Sequence, residues 1–247
     1  FDAPRVEGTL EARFDDLRLS MAGLRQRDLV LALEIVGRKV HLRPVHLVAG
    51  GTLDLAFDAT VDALRASAIT LDGRLDARHF QAMNGDETSL RLSTDLAIGG
   101  TLARPMVKGD VTVESARSTA SLVGRAVTEP GLPADVSFED GSPTAEAPAS
   151  QGGLQAKVPA DLDVRLAIAS RGIHLRNELV DVFVTGNLHV RTARDDLVLT
   201  GVVSVDEGQV VLYGRKFSLN EDSRVIFTGS PGINPSLDVT ADFAIRD

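Results

Sequence analysis

Five histidines, His41, His46, His79, His174 and His189, are the side chains in this chain best suited to acid–base or metal chemistry. Imidazole titrates near neutrality and is the commonest metal ligand, so two of them at ligand spacing would define a site. They are instead scattered, no two fall at metal-pair spacing, and no His-Glu-x-x-His motif exists. His41 lies among alternating polar positions and reads as a surface strand residue. The acidic doublets Asp15-Asp16, Asp195-Asp196 and Glu221-Asp222 lack the spaced oxygen ligands of a calcium loop, and turns favour these residues anyway. Gly-x-Ser-x-Gly and the phosphate-binding glycine loop are absent. With no Cys there is no thiolate nucleophile, thiolate ligand or disulfide. The residues predict no enzyme, no cofactor and no metal site.

What the chain does contain is a period-two apolar pattern from end to end. Leu53, Leu55 and Phe57, continued by Ala59 and Val61, fall on one side of an extended segment, and Asp54, Asp58, Thr60 and Asp62 fall on the other. Successive strand side chains point to opposite faces, so each such run reads as a strand with one dry and one wet face. Leu90, Leu92, Leu96 and Ile98 repeat the pattern, followed by Val111 and Val113. Leu162, Val164, Leu166 and Ile168 form the next run, then Leu188 and Val190. Val203, Val205, Val210 and Leu212 follow, and Leu237, Val239 and Phe243 (with Ala241 and Ile245) close the series. These apolar positions are the candidate functional residues.

Composition narrows the classes. Nine Phe, one Tyr and no Trp leave the dry faces to Leu, Val, Ile and Ala, a smooth aliphatic lining in place of an aromatic-centred core. The formal net charge of -9 with scattered basic residues argues against nucleic acid. No apolar run approaches the ~20 residues of a membrane-spanning helix. Strand-like sequence runs to both ends, so a piece of a longer protein is expected.

The organisation is two β-rich blocks, 1–127 and 161–247, around a segment at 128–160. That segment holds Pro130, Pro133, Pro143, Pro148 and Pro159 among acidic and small residues, and reads as a mobile loop. Both blocks repeat the phrase Gly-x-apolar-x-apolar, at Gly8, Gly51, Gly73, Gly109, Gly186 and Gly201, with irregular spacing that favours an antiparallel meander over a strict solenoid. Asp206-Glu207-Gly208 and Asn220-Glu221-Asp222 read as hairpin connections. Leu64–Leu75 could be drawn as an amphipathic helix, a reading weakened by Ile69, Thr70 and Gly73, and Arg78–Asp86 as a helical turn. About 16–20 strands, with strand content near 60%, would stack to roughly 75–95 Å. From periodicity alone, a closed sandwich or barrel is the simpler reading.

The C-terminal block carries the most specific phrases: Gly201–Gly208, Gly214-Arg215-Lys216-Phe217, and Phe227-Thr228-Gly229 followed by Pro235-Ser236-Leu237-Asp238. Gly99-Gly100-Thr101-Leu102-Ala103-Arg104-Pro105 is a looser match. Their order resembles the C-terminal region of the TamB family, within the AsmA-like and bridge-like lipid transfer group. The resemblance implies an all-β, elongated, curled, antiparallel-rich sheet (a β-taco, or open groove) with an apolar interior. It further implies a periplasmic part of an inner-membrane-anchored protein of Gram-negative bacteria. There the groove would conduct phospholipid acyl chains between inner and outer membranes, alongside a TamA-like outer-membrane barrel partner. A scaffold that templates barrel assembly by strand-edge pairing is the alternative. An outer-membrane barrel lacks its aromatic girdles here, and a β-scaffold enzyme lacks its carboxylates.

Overall fold

Alternation governs the long strands because each must keep one face out of water. A computed structural model describes residues 7–19, 24–119, 158–212, 214–230 and 233–243. In chain order the strands are β1 (Glu7–Leu19), β2 (Leu24–Val36), β3 (Lys39–Val48), β4 (Thr52–Val61), β5 (Ile69–Asn84), β6 (Thr88–Thr101) and β7 (Arg104–Ser118). They continue as β8 (Asp161–Arg176), β9 (Val180–Ala193), β10 (Asp196–Leu212), β11 (Arg215–Leu219), β12 (Arg224–Thr228), β13 (Ser236–Asp238) and β14 (Ala241–Asp242). All belong to one open sheet in which β1 to β10 lie side by side in sequence order. Strand accounts for 79% of the described residues, above expectation because β1–β10 run from 10 to 17 residues each.

Several expectations are corrected. The fourteen strands occupy twelve positions, since β11 and β12 share one line against β10, and β13 and β14 share the next. At 4.8 Å per strand that spans about 53 Å, shorter than the sequence suggested, with longer strands making up the area. Asp206–Gly208 is no hairpin: β10 runs through it with a bulge between Val205 and Glu207, and Gly208 lies opposite Val182. Asn220–Asp222 is a kink between two collinear strands. Ser223, fully buried, holds it: its hydroxyl donates to the Thr240 carbonyl and accepts from the Thr240 amide, and its own carbonyl accepts from Val205 N–H. The Arg78–Asp86 stretch is strand as far as Asn84, because Phe80 and Met83 pair across to Leu92 and Leu90. Among the described residues only Ala66–Ala68 is helical, as a 3-10 turn.

The largest departure from a plain meander lies between the two blocks. β7 and β8 pair in parallel, from Met106 opposite Asp161 to Ser118 opposite Leu175. Parallel neighbours need a crossover, because the chain must travel back the length of a strand. Returning along twelve residues of β7 takes at least ~12 extended residues, and residues 119–160 supply more than that. Apart from Val158–Ala160, the predicted 128–160 loop lies outside the described residues. The sheet itself runs unbroken across the seam.

Two glycines sit where no other residue fits. Gly109 in β7 and Gly201 in β10 have φ of 140° and 128°, and a Cβ there would strike the carbonyl oxygens of Asp95 and Asn187. Gly109→Ala and Gly201→Ala should each cost about 2 kcal/mol in urea denaturation, through backbone strain. Gly8→Ala, with open space around it, should change stability little.

Candidate functional site

Cross-strand register decides which side chains share a face, since residues directly opposite point the same way. Val45, Leu55, Leu75, Leu96, Gly109, Val164, Val190 and Leu199 are successive partners from β3 to β10. The next row runs Leu47, Leu53, Ala77, Thr94, Val111, Leu166, Leu188, Gly201 and Phe227. A third joins Phe80, Leu92, Val113, Ile168, Gly186, Val203, Val225 and Leu237. On the flanks, Phe57 leads through Gly73 and Ile98 to Val107 and Leu162. On the far side, Leu90 joins Ala116, Ile173, Val184 and Val205. Val210 lies between Val180 and Phe217, and Leu212 occupies the next such backbone position on β10.

Nineteen of the twenty-two expected residues therefore fall on one face, in rows that keep to that face across the parallel seam. Val239 lies just past β13, outside the strand, and Phe243 just past β14, its ring 5.3 Å from that of Phe217. Sequence reasoning missed Val45, Leu75, Phe80, Val182, Val184 and Leu199 on the same face. Alternation around each would have found them, except where the bulges before Val45 and Phe80 break the period.

Burial shows that, among the described residues, no second layer seals this face. Of the expected residues whose side chains are described, only Val113 and Ile168 are buried, Leu237, Val239 and Phe243 are exposed, and the others are half-buried. In a sandwich the inward Leu and Val of facing sheets interdigitate and lose contact with water. Here Leu53, Leu55, Leu96, Val164, Leu166, Leu188 and Val203 are only half-buried and keep a surface to solvent. The closed sandwich that periodicity favoured is thereby corrected.

The reverse face is charged. One residue out of phase with the first apolar row run His46, Asp54, Asp76, Asp95, Asp110, Arg165, His189 and Thr200. Four carboxylates on adjacent strands repel one another, and bridges answer them: His46–Asp54 at 2.6 Å, Arg78–Asp76 at 3.3 Å, Arg74–Asp95 at 2.8 Å and Arg165–Asp110 at 2.6 Å. Each of the five histidines meets a carboxylate: His41 Asp58, His46 Asp54, His79 Glu114, His174 Asp181 and His189 Asp163. The partners lie 7 to 35 residues away in sequence, so only the fold reveals the pairing. A depression of about 550 Å³ over Gly201 is bordered by Asp110, Arg165, Asn187, His189 and Thr200, with Arg165 and His189 already engaged by Asp110 and Asp163. Among the described residues no cluster of His, Asp or Glu could hold a metal, and no helix is long and apolar enough to cross a membrane.

These features define an all-β protein built as an open sheet with one aliphatic and one ion-paired face. Residues 46–247 match the TamB C-terminal domain, and the chain belongs to that family. The family is linked to the translocation and assembly module and is associated with the cell envelope and an outer-membrane partner; it is not a known enzyme family. No curated protein and no solved structure matches the chain.

The seam carries its own pH dependence. Hydrogen bonds from Arg165, Arg104 and His189 hold the carboxyls of Asp110, Asp161 and Asp163 below the ordinary carboxylate range. A carboxyl depressed in the folded state adds stability above its unfolded value of about 3.9, and that stability is lost as pH falls through the lower folded value. Protection of the β7–β9 amides, taken as exchange relative to the intrinsic rate at each pH, should therefore be unchanged between about pH 5 and 8 and should fall below about pH 4. All three carboxylates face water, so 0.5 M salt should weaken the effect.

Proposed function

We propose that the aliphatic face is a trough that carries phospholipid acyl chains through the periplasm between the inner and outer membranes. The observation that supports this most is the set of uncharged, mainly aliphatic rows that continue from β3 to β10, most of their members only half-buried. A contiguous exposed apolar surface of this extent needs a partner. Each CH₂ it covers is worth about 0.8 kcal/mol, so a sixteen-carbon tail would gain on the order of 12 kcal/mol before losses. No charged group interrupts the rows, so a chain would meet equivalent contacts at successive strands and could slide between them. Headgroups would stay in water at the lip. In the full-length protein an inner-membrane anchor and a TamA-like barrel partner would set the two ends of the route. Nucleic acid has no part in this reading, since a formal net charge of -9 repels phosphate.

A photoreactive residue at Val164 or Leu166 should capture phospholipid, and one at Arg165, on the opposite face, should not. Leu166→Asp or Val203→Asp should cut phospholipid recovered with the protein at least tenfold, since a buried charge beside a tail is strongly disfavoured. Capture of unfolded barrel segments in place of lipid from Val164, with transport unaffected by either Asp variant, would favour the strand-edge scaffold.

A further inference from the structure

The phrases Leu71-Asp72-Gly73-Arg74-Leu75 and Leu162-Asp163-Val164-Arg165-Leu166 open β5 and β8. Gly109-Asp110-Val111-Thr112-Val113-Glu114 and Gly201-Val202-Val203-Ser204-Val205-Asp206 occupy β7 and β10. We infer that residues 69–118 and 161–212 are two copies of one three-stranded unit, each bent by the same latch between its first and third strands.

The opening phrases lie 91 positions apart; past them, where the bulge of β8 is longer than that of β5, three observations coincide at an offset of 92. His79 and Arg171 are non-glycine residues in the left-handed region, with φ of 52° and 53°, each at a bulge in the first strand of its unit. Gly109 and Gly201 hold the unusual backbone described above, each pressed against the carbonyl of the equivalent residue on the middle strand, Asp95 or Asn187. Glu114 and Asp206, five residues past those glycines, reach back over the middle strand to the left-handed residue. In the first unit the His79 amide donates to Ser93 Oγ at 2.9 Å and Ser93 Oγ donates to Glu114 at 2.5 Å, while the His79 ring lies 2.8 Å from the same carboxylate. In the second, the Arg171 amide donates directly to Asp206. A left-handed conformation in a non-glycine residue is uncommon and persists only where its surroundings hold it. Finding it twice, with the same carboxylate and the same glycine at the same spacing, is not a property of strands in general.

Duplication also accounts for the parallel seam. A three-stranded antiparallel unit begins and ends in the same direction. Two such units in the same orientation in one sheet must meet as a parallel pair, as β7 and β8 do. The crossover at 119–160 is then the link between units.

The equivalence predicts that one unit can be removed. In the full-length protein, deletion of residues 70–160 should leave Ile69 running into β8, with β4 taking β8 in place of β5. Leu55, now opposite Leu75, should then lie opposite Leu166. The chain has no Cys, so Leu55→Cys with Leu166→Cys reports this directly. Oxidation should bridge them in the shortened protein and not in the intact one, where four strand spacings put them about 19 Å apart. Leu55→Cys with Leu75→Cys in the intact chain is the positive control. A shortened protein that folds without the bridge overturns the inference. If it does not fold, the latches decide. In the intact chain Glu114→Ala should speed exchange of the His79 amide, and Asp206→Ala that of Arg171, each about tenfold or more and each without effect on the other unit. Unchanged exchange at either amide overturns the equivalence.

Discussion

Everything in this sheet depends on register. With side chains alternating at a period of two, a slip of one residue in any strand would carry its aliphatic set to the charged side and its carboxylates into the apolar rows. Along β8 such a slip would put Asp163 where Val164 now sits, between Gly109 and Val190, and Arg165 where Leu166 sits, between Val111 and Leu188. The rows are continuous only because every pairing from β3 to β10 keeps phase, including the parallel one. Bulges at Leu42/Val45, Ala77/Phe80, Ile168/Ile173 and Val205/Glu207 shift the register locally, yet apolar residues return to the same face after each.

The charged face helps fix that phase. Arg165 reaches Asp110 with two hydrogen bonds, 2.6 and 2.8 Å, which a shift of β8 by one residue would lose. Arg104–Asp161 at the start of the seam and His189–Asp163 beside it act on the same strands. Exposed pairs of this kind contribute little to overall stability; their value is discrimination between registers that would otherwise be similarly hydrogen-bonded. The row of carboxylates from Asp54 to Asp110 also keeps that face in water, so the sheet cannot bury both sides. One wet face and one unsealed dry face follow from the same alternation.

Much of this was legible in the sequence. Alternation in runs such as Leu53–Val61 and Leu162–Ile168 marked both the strands and the face on which they meet, and the Gly201–Gly208 and Phe227–Asp238 phrases marked the family. Turn chemistry misled at Asp206-Glu207-Gly208, where residues that favour turns serve a bulge and a latch inside one long strand. Asn220–Asp222 misled in the same way, because a kink and a hairpin use the same residue types; only the pairing of both flanking strands with β10 tells them apart. The parallel seam was beyond local reading, since strand direction depends on a return through 119–160. Openness was not in the periodicity at all: a sandwich and a trough share the same alternation, and only the half-buried state of Leu166, Leu188 and Val203 separates them.

A trough of this kind requires that hydrocarbon occupy the aliphatic face and no other. A phospholipid with a nitroxide on its acyl chain, added below its aggregation threshold to methyl-labelled protein, tests it directly. Broadening at Val164, Leu188 and Val203, with Val198 and Val202 on the reverse face left sharp, is the predicted result. Equal broadening on both faces, or none at Val164, Leu188 and Val203, would contradict it.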